Sequence, residues 1–132
     1  MKNLVCVATL AFFLSALPAV PKAANPRVLI ATELGTVEVE VDPVKAPVTA
    51  ANFLRYVDAG LYDGSSFFRV VTMQNQPQSP VKIEVIQGGD VPDEKCFPPI
   101  AHETTAATGL LHLDGTISMA RDRPGSTTSS FF

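Results

Sequence analysis

The 132-residue chain is poor in cysteine, in net charge and in long apolar runs. Each shortage closes off a class of function. Its two cysteines, Cys6 and Cys96, cannot form the disulfide framework of a small secreted scaffold. Cys6 falls in a leader-like stretch, which leaves Cys96 alone as a thiol near a loop. Charged residues make up 17% of the chain and the net charge is −3 at pH 7, with no basic stripe, so no electrostatic case for nucleic acid exists. Heptads and repeats at solenoid spacing are also missing. The longest apolar run, Leu4 to Leu17, falls short of the ~20 residues that a membrane-spanning helix needs. Cys96, His102 and His112 match no zinc-ligand spacing. Ser126, Ser129 and Ser130 lack the His-plus-acid set that would activate a nucleophile. Nothing calls for a metal or a cofactor.

The hydrophobic content of 46% suits one small globular domain. Residues 1–24 have a basic start at Lys2, the apolar run, and a small-residue end at Ala23-Ala24, the layout of a secretory signal peptide. Removing that leader, which carries Lys2 and Lys22 and no acid, takes the net charge to −5. The expected organisation is therefore 1–24 as signal peptide and 25–132 as the folded domain, in a secreted or periplasmic protein.

Arg27 to Thr32 is rich in β-formers, and Thr36 to Val41 alternates with Val37, Val39 and Val41 on one face and Glu38 and Glu40 on the other. Period-2 alternation marks a half-buried strand, and the short Glu33-Leu34-Gly35 link predicts an antiparallel hairpin. The alternation places Glu38 and Glu40 in solvent and argues against a catalytic carboxylate pair. Pro47 suits the first turn of a helix whose Ala50, Phe53, Leu54 and Val57 form one apolar stripe, ended by Gly60.

Further strands are predicted over Phe67–Val71, Val81–Gln87 and Thr116–Ala120. The polar segment Thr72–Pro80, with two prolines, reads as a surface loop. Two polar residues stand out inside apolar strands. Arg69 lies among β-branched and aromatic neighbours, where a guanidinium is costly unless it opens into a site or finds a partner. Gln87 is followed by Gly88-Gly89, which permits a sharp turn or a close backbone approach.

These segments resemble the cyclophilin family of peptidyl-prolyl cis/trans isomerases. The matching pieces, in the family's order, are Ala51-Asn52-Phe53-Leu54, Tyr62-Asp63-Gly64, Phe67-Phe68-Arg69-Val70-Val71, Ile86-Gln87-Gly88-Gly89-Asp90, Gly115-Thr116-Ile117-Ser118-Met119-Ala120 and Ser129-Ser130-Phe131-Phe132. The resemblance implies a mostly-β fold, a cyclophilin-like antiparallel barrel with a capping helix, incomplete at its C-terminal end. It implies an isomerase of X-Pro bonds that acts on proline-containing polypeptides and assists the folding of exported proteins. Arg69 would be catalytic, and Gln87, Val85, Met119, Ala120 and Phe132 would bind substrate. No nucleic-acid partner and no stable membrane insertion follow from it, and a monomer is expected.

Departures from the family pattern keep a second reading open. Glu84 and Val85 stand where the family has an aromatic and a methionine, Arg121-Asp122 replaces Asn-Ala, and Ser130 replaces a glutamine. The family's later pocket residues, second capping helix and barrel-closing strand have no counterpart, the pattern of a fragment. A binding module without catalysis, or an inactive fragment, is the alternative.

Overall fold

The hairpin anticipated near the start of the domain is present in the computed structural model, which describes residues 23–132. The 1–24 signal-peptide reading falls almost wholly outside the described residues. Strand β1 (Arg27–Thr32) pairs antiparallel with β2 (Gly35–Glu40), with Arg27 opposite Glu40 and Thr32 opposite Gly35. Val39 and Val41 are buried, whereas Glu38 and Glu40 lie in solvent and share the Arg27 guanidinium at 2.7 and 3.4 Å. Ion pairs this exposed add little stability. Val37 departs from the expectation. It keeps the face of Val39 but is 45% exposed, because it sits near the hairpin tip, beyond the reach of the helix.

Helix α1 (Pro47–Asp58) follows, with its proline in the first turn. Ala50 and Phe53 are buried against Val39, Val41 and Phe131, and Leu54 and Val57 pack at the edge of that core. Two further helix residues, Asn52 and Tyr56, are buried. The Asn52 side-chain amide donates to the Thr128 carbonyl at 2.7 Å, and the Tyr56 hydroxyl accepts the Phe97 N–H at 2.8 Å. Partners supplied by distant segments remove the desolvation cost that would otherwise keep such groups out.

The helix start has no local cap: Ala46 precedes it without a side-chain bond. Glu103 supplies one from a distant loop, its two carboxylate oxygens accepting the N–H groups of Val48 at 3.1 Å and Thr49 at 2.7 Å. These are two of the donors that every helix leaves unpaired. Partial burial raises the Glu103 pKa, but the bonds from Thr49 and Val48 outweigh it and hold the carboxyl below its usual value.

Strands β3 (Arg69–Val71) and β4 (Val85–Gln87) pair antiparallel, with Arg69 opposite Gln87 and Val71 opposite Val85. Both are shorter than the sequence predicts, for local reasons. On the β3 side, Phe68 donates its N–H to the Gln87 carbonyl, although the register gives Gln87 to Arg69. Two residues thus face one, the signature of a bulge, which breaks alternation and re-aims side chains. Phe67 consequently packs on the core, and Phe68 is 46% exposed. On the β4 side, the Gln76 side chain takes both backbone groups of Ile83, accepting its N–H and donating to its carbonyl. With those groups committed, the strand begins only at Val85.

Beyond β4 come a 3-10 turn at Asp93–Lys95 and a single-turn helix α2 (Thr105–Thr108), closed by Gly109 in the left-handed conformation. The predicted strand over Thr116–Ala120 reduces to a bridge at Met119. Two antiparallel strand pairs and one long helix make up most of the regular structure, and no barrel closes among the described residues. No helix among them is long and apolar enough to cross a membrane.

An aromatic cluster joins the helix to the C-terminal segment. Phe131 meets Phe53, Tyr62 and Phe67 edge-on, with centroids 5.4–6.2 Å apart, an arrangement favoured by the ring quadrupoles. The Tyr62 hydroxyl donates to the Ser129 carbonyl at 2.7 Å. Burial pushes the Tyr56 hydroxyl up to about 12 from 10.0, and burial beside Tyr56 and Cys96 pushes Tyr62 up as well. Raised phenol pKa values add stability that is fully present below the unfolded value of 10.0 and is lost as the pH climbs through the folded ones. Alkaline titration followed at 295 nm should show the two tyrosines ionising late, together with unfolding measured by circular dichroism. Phenolate absorbance developing near pH 10 in a still-folded chain would contradict this packing.

Candidate active site

The candidate site is one face of a strand assembly that runs from β3 through β4 to the C-terminal segment and then to the stretch around Ser118. Gly88 and Phe131 exchange both backbone hydrogen bonds, at 2.9 and 3.0 Å. Ser118 and Phe132 do the same at 2.8 and 2.9 Å, and Ala120 donates to the Ser130 carbonyl at 2.8 Å. Directly opposed residues share a face, and neighbours along a strand alternate. Gly88, Phe131 and Met119 therefore lie on the core side. Arg69, Gln87, Val85, Phe132, Ser130, Ser118 and Ala120 lie on the other.

Arg69 is exposed on that second face, and its Nη1 donates to Gln87 Oε1 at 3.1 Å. No carboxylate forms an ion pair with it; the salt bridges among the described residues all involve Arg27. The guanidinium thus keeps most of its donors available while one of them fixes its position beside Gln87. The half-buried Val85 lies two residues from Gln87 on the same face, opposite Val71. Phe132 is half-buried, and the His112 ring lies nearly parallel to it, with centroids 6.0 Å apart and planes 19° apart. His112 Nε2 is also 3.0 Å from the Ser118 hydroxyl. An aromatic surface with a polar rim results.

Met119 is not brought to this face. Expected among the substrate-binding residues, it pairs with Phe131 and packs against the core. Ala120 is on the site face, but its N–H is already committed to Ser130. Glu84 precedes β4 and is exposed, so an acid stands beside the site and not within its apolar wall.

One feature escaped the sequence. His112 looked like an ordinary loop histidine; its position six residues before Ser118, across one turn, is the only local signal of their contact. Of the two uses the sequence allowed for the Gly88-Gly89 pair, a sharp turn or a close approach, the close approach is plain in the packing. A Cβ on Gly88 would meet Phe67 Cδ1 at 3.0 Å, and one on Gly89 would meet Phe131 Cδ1 at 2.8 Å and the Ser129 carbonyl at 2.9 Å. The two glycines let the core aromatics lie directly beneath the strand that carries Gln87.

A hollow of about 380 Å³ lies between β3 and the segment that links it to β4. Arg69 and Val71 line it together with the polar side chains of Asn75, Gln76 and Ser79 and with Val81 and Ile83.

The profile of the family described as "Cyclophilin type peptidyl-prolyl cis-trans isomerase/CLD" matches residues 27–132. The chain is 38% identical over 120 residues to peptidyl-prolyl cis-trans isomerase A of Dickeya dadantii, covering 87% of this chain and 57% of that protein. It is 38% identical over 114 residues to a peptidyl-prolyl cis-trans isomerase of Acinetobacter baylyi, covering 83% and 54%. A third relative, peptidyl-prolyl cis-trans isomerase cyp18 of Streptomyces antibioticus, is 36% identical over 106 residues, covering 76% and 57%. The chain thus spans little more than half the length of these curated relatives. With the match running through nearly all of the described residues, and with Arg69 and Gln87 side by side on a mostly-β scaffold, the chain belongs to the cyclophilin-type peptidyl-prolyl cis-trans isomerase family.

Proposed function

We propose that this chain accelerates cis/trans isomerisation of X-Pro bonds in proline-containing polypeptides, with Arg69 as the catalytic group. The observation that carries the proposal is a solvent-facing guanidinium fixed to Gln87 and free of any carboxylate partner. The reaction breaks no bond. It crosses a barrier of ~18–20 kcal/mol because amide resonance is lost as the peptide twists. In the twisted state the prolyl nitrogen recovers a lone pair that can accept a hydrogen bond. A positioned guanidinium stabilises that state more than either planar isomer, which is the condition for catalysis.

Gln87 is assigned the orientation of substrate backbone. Phe132 is assigned the floor under the proline ring, with Val85 beside it and Ala120 near the substrate chain. The chemistry needs no cofactor or metal. The leader-like composition of residues 1–24 supports export, and with it a secreted or periplasmic role in folding exported polypeptides. A monomer without nucleic-acid or membrane partners is the assembly proposed.

Two observations favour a second reading, a binder of proline segments without turnover: the core-facing Met119 and the exposed Glu84. Exchange NMR on an Ala-Pro peptide separates the two. The isomerase reading predicts cis/trans exchange well above the uncatalysed rate, which corresponds to tens to hundreds of seconds. Saturable shifts without faster exchange would identify the binder. Neither effect would overturn both.

A further inference from the structure

We infer that His112 is a positioning residue of the proline site: its imidazole, tethered to Ser118, holds the ring of Phe132 in the orientation on which a proline is to sit. The inference deepens the reading of this face as an isomerase site and rests on it.

Phe132 has little else to hold it. Its neighbour Phe131 meets Phe53, Tyr62 and Phe67 edge-on on the core side. Phe132 lies on the opposite face and is only half-buried. Among the described residues the one ring within stacking range of it is His112, with centroids 6.0 Å and planes 19° apart. At that separation two nearly parallel rings are offset and meet along their edges. The imidazole thus braces the side of the Phe132 ring and leaves most of its face open to a ligand.

His112 is itself fixed from two directions. Its Nε2 is 3.0 Å from the Ser118 hydroxyl, a contact that either neutral tautomer can make because a hydroxyl both donates and accepts. Ser118 in turn exchanges both backbone hydrogen bonds with Phe132, at 2.8 and 2.9 Å, so the imidazole is anchored on the residue opposite the ring that it braces. Thr116 closes the turn that carries His112. It donates its N–H to the Leu113 carbonyl at 3.0 Å and its hydroxyl to the Leu111 carbonyl at 3.2 Å, and accepts the Leu113 N–H at 3.1 Å. A ring ordered before the ligand arrives loses no rotamer freedom on binding, and the difference appears as affinity. It appears in KM and not in kcat, since the proline ring rests on Phe132 in the planar and the twisted amide alike.

The test titrates an Ala-Pro peptide by NMR and measures its exchange rate at saturation, with the parent chain, His112→Ala, His112→Phe, Phe132→Leu and the double variant His112→Ala/Phe132→Leu. His112 is exposed, and thermal melts confirm that each variant folds. His112→Ala is expected to bind about fivefold more weakly, with an exchange rate at saturation within about twofold of the parent's. His112→Phe, which keeps a flat ring, recovers most of the lost affinity. In the Phe132→Leu background, removing His112 costs nothing further. The two His112 substitutions decide the case alone should Phe132→Leu not fold. Unchanged affinity in His112→Ala would overturn the inference, as would a loss that His112→Phe does not recover or one that persists without the Phe132 ring. A loss confined to the exchange rate at saturation would overturn it too, by moving the effect from binding to the barrier. Weaker binding in His112→Ala, with no faster exchange in the parent, would leave the brace standing and reject the isomerase reading. Faster exchange in the parent with an unaffected His112→Ala would do the reverse, and a parent chain that binds no peptide would overturn both.

Discussion

Replacing Arg69 with alanine should lower kcat/KM for an X-Pro peptide roughly 10²–10³-fold, the loss seen when one donor aimed at developing charge is removed. Peptide affinity should change much less. The asymmetry follows from when the bond forms. In a planar prolyl amide the nitrogen lone pair is delocalised and offers the guanidinium nothing, whereas in the twisted state it is a full acceptor. The contact with Gln87 Oε1 holds the guanidinium in place before substrate arrives, so little reorganisation is needed at the top of the barrier. Arg69 is exposed and carries no ion pair, so its removal should leave the melting temperature nearly unchanged. Exchange NMR for turnover, titration for affinity and a thermal melt for stability together check the three parts of this expectation.

Substituting Gly89 by alanine should cost the fold on the order of 3 kcal/mol, while the same change at Gly125 should cost about 1 kcal/mol. The two positions share a φ of +78° and differ in their surroundings. At Gly125 nothing lies within 4 Å of an added Cβ, which leaves the backbone penalty alone. At Gly89 the new carbon meets Phe131 Cδ1 at 2.8 Å, Phe131 Cε1 at 2.9 Å and the Ser129 carbonyl at 2.9 Å. Phe131 cannot give way easily, since it is buried and packed against Phe53, Tyr62 and Phe67. The Ser129 carbonyl is itself anchored by the Tyr62 hydroxyl. Denaturant melts of the two variants supply the comparison. Equal losses would mean that the close approach under Gly89 contributes nothing.

Parts of this architecture were legible in the sequence because the forces behind them are local. The β1–β2 hairpin follows from strict alternation and a short link, and α1 from an apolar stripe, a first-turn proline and a closing glycine. Arg69 and Gln87 stood out as polar residues in apolar strands, and the register sets them opposite each other. What escaped depends on partners far along the chain. Asn52 and Tyr56 look like exposed helix residues until Thr128 and Phe97, 76 and 41 positions away, supply their hydrogen bonds. Glu103 looks like a loop acid until it caps a helix 54 residues upstream of it. The side on which Met119 lies depends on its pairing with Phe131, since a one-residue change of register reverses every side chain. The shortened β4 reflects a side chain, Gln76, standing in for a neighbouring strand, which no periodicity announces.

The central claim is that a fixed, planar guanidinium, and not merely a positive charge, lowers the rotational barrier. Arg69→Lys tests it most directly, because the charge stays while the fork that bonds Gln87 and reaches the prolyl nitrogen is lost. With one Ala-Pro peptide, the account predicts a dissociation constant within about twofold of the parent chain and an exchange rate at least tenfold lower, a loss of ~1.4 kcal/mol or more in barrier lowering. An exchange rate retained in the lysine variant at matched affinity would contradict it.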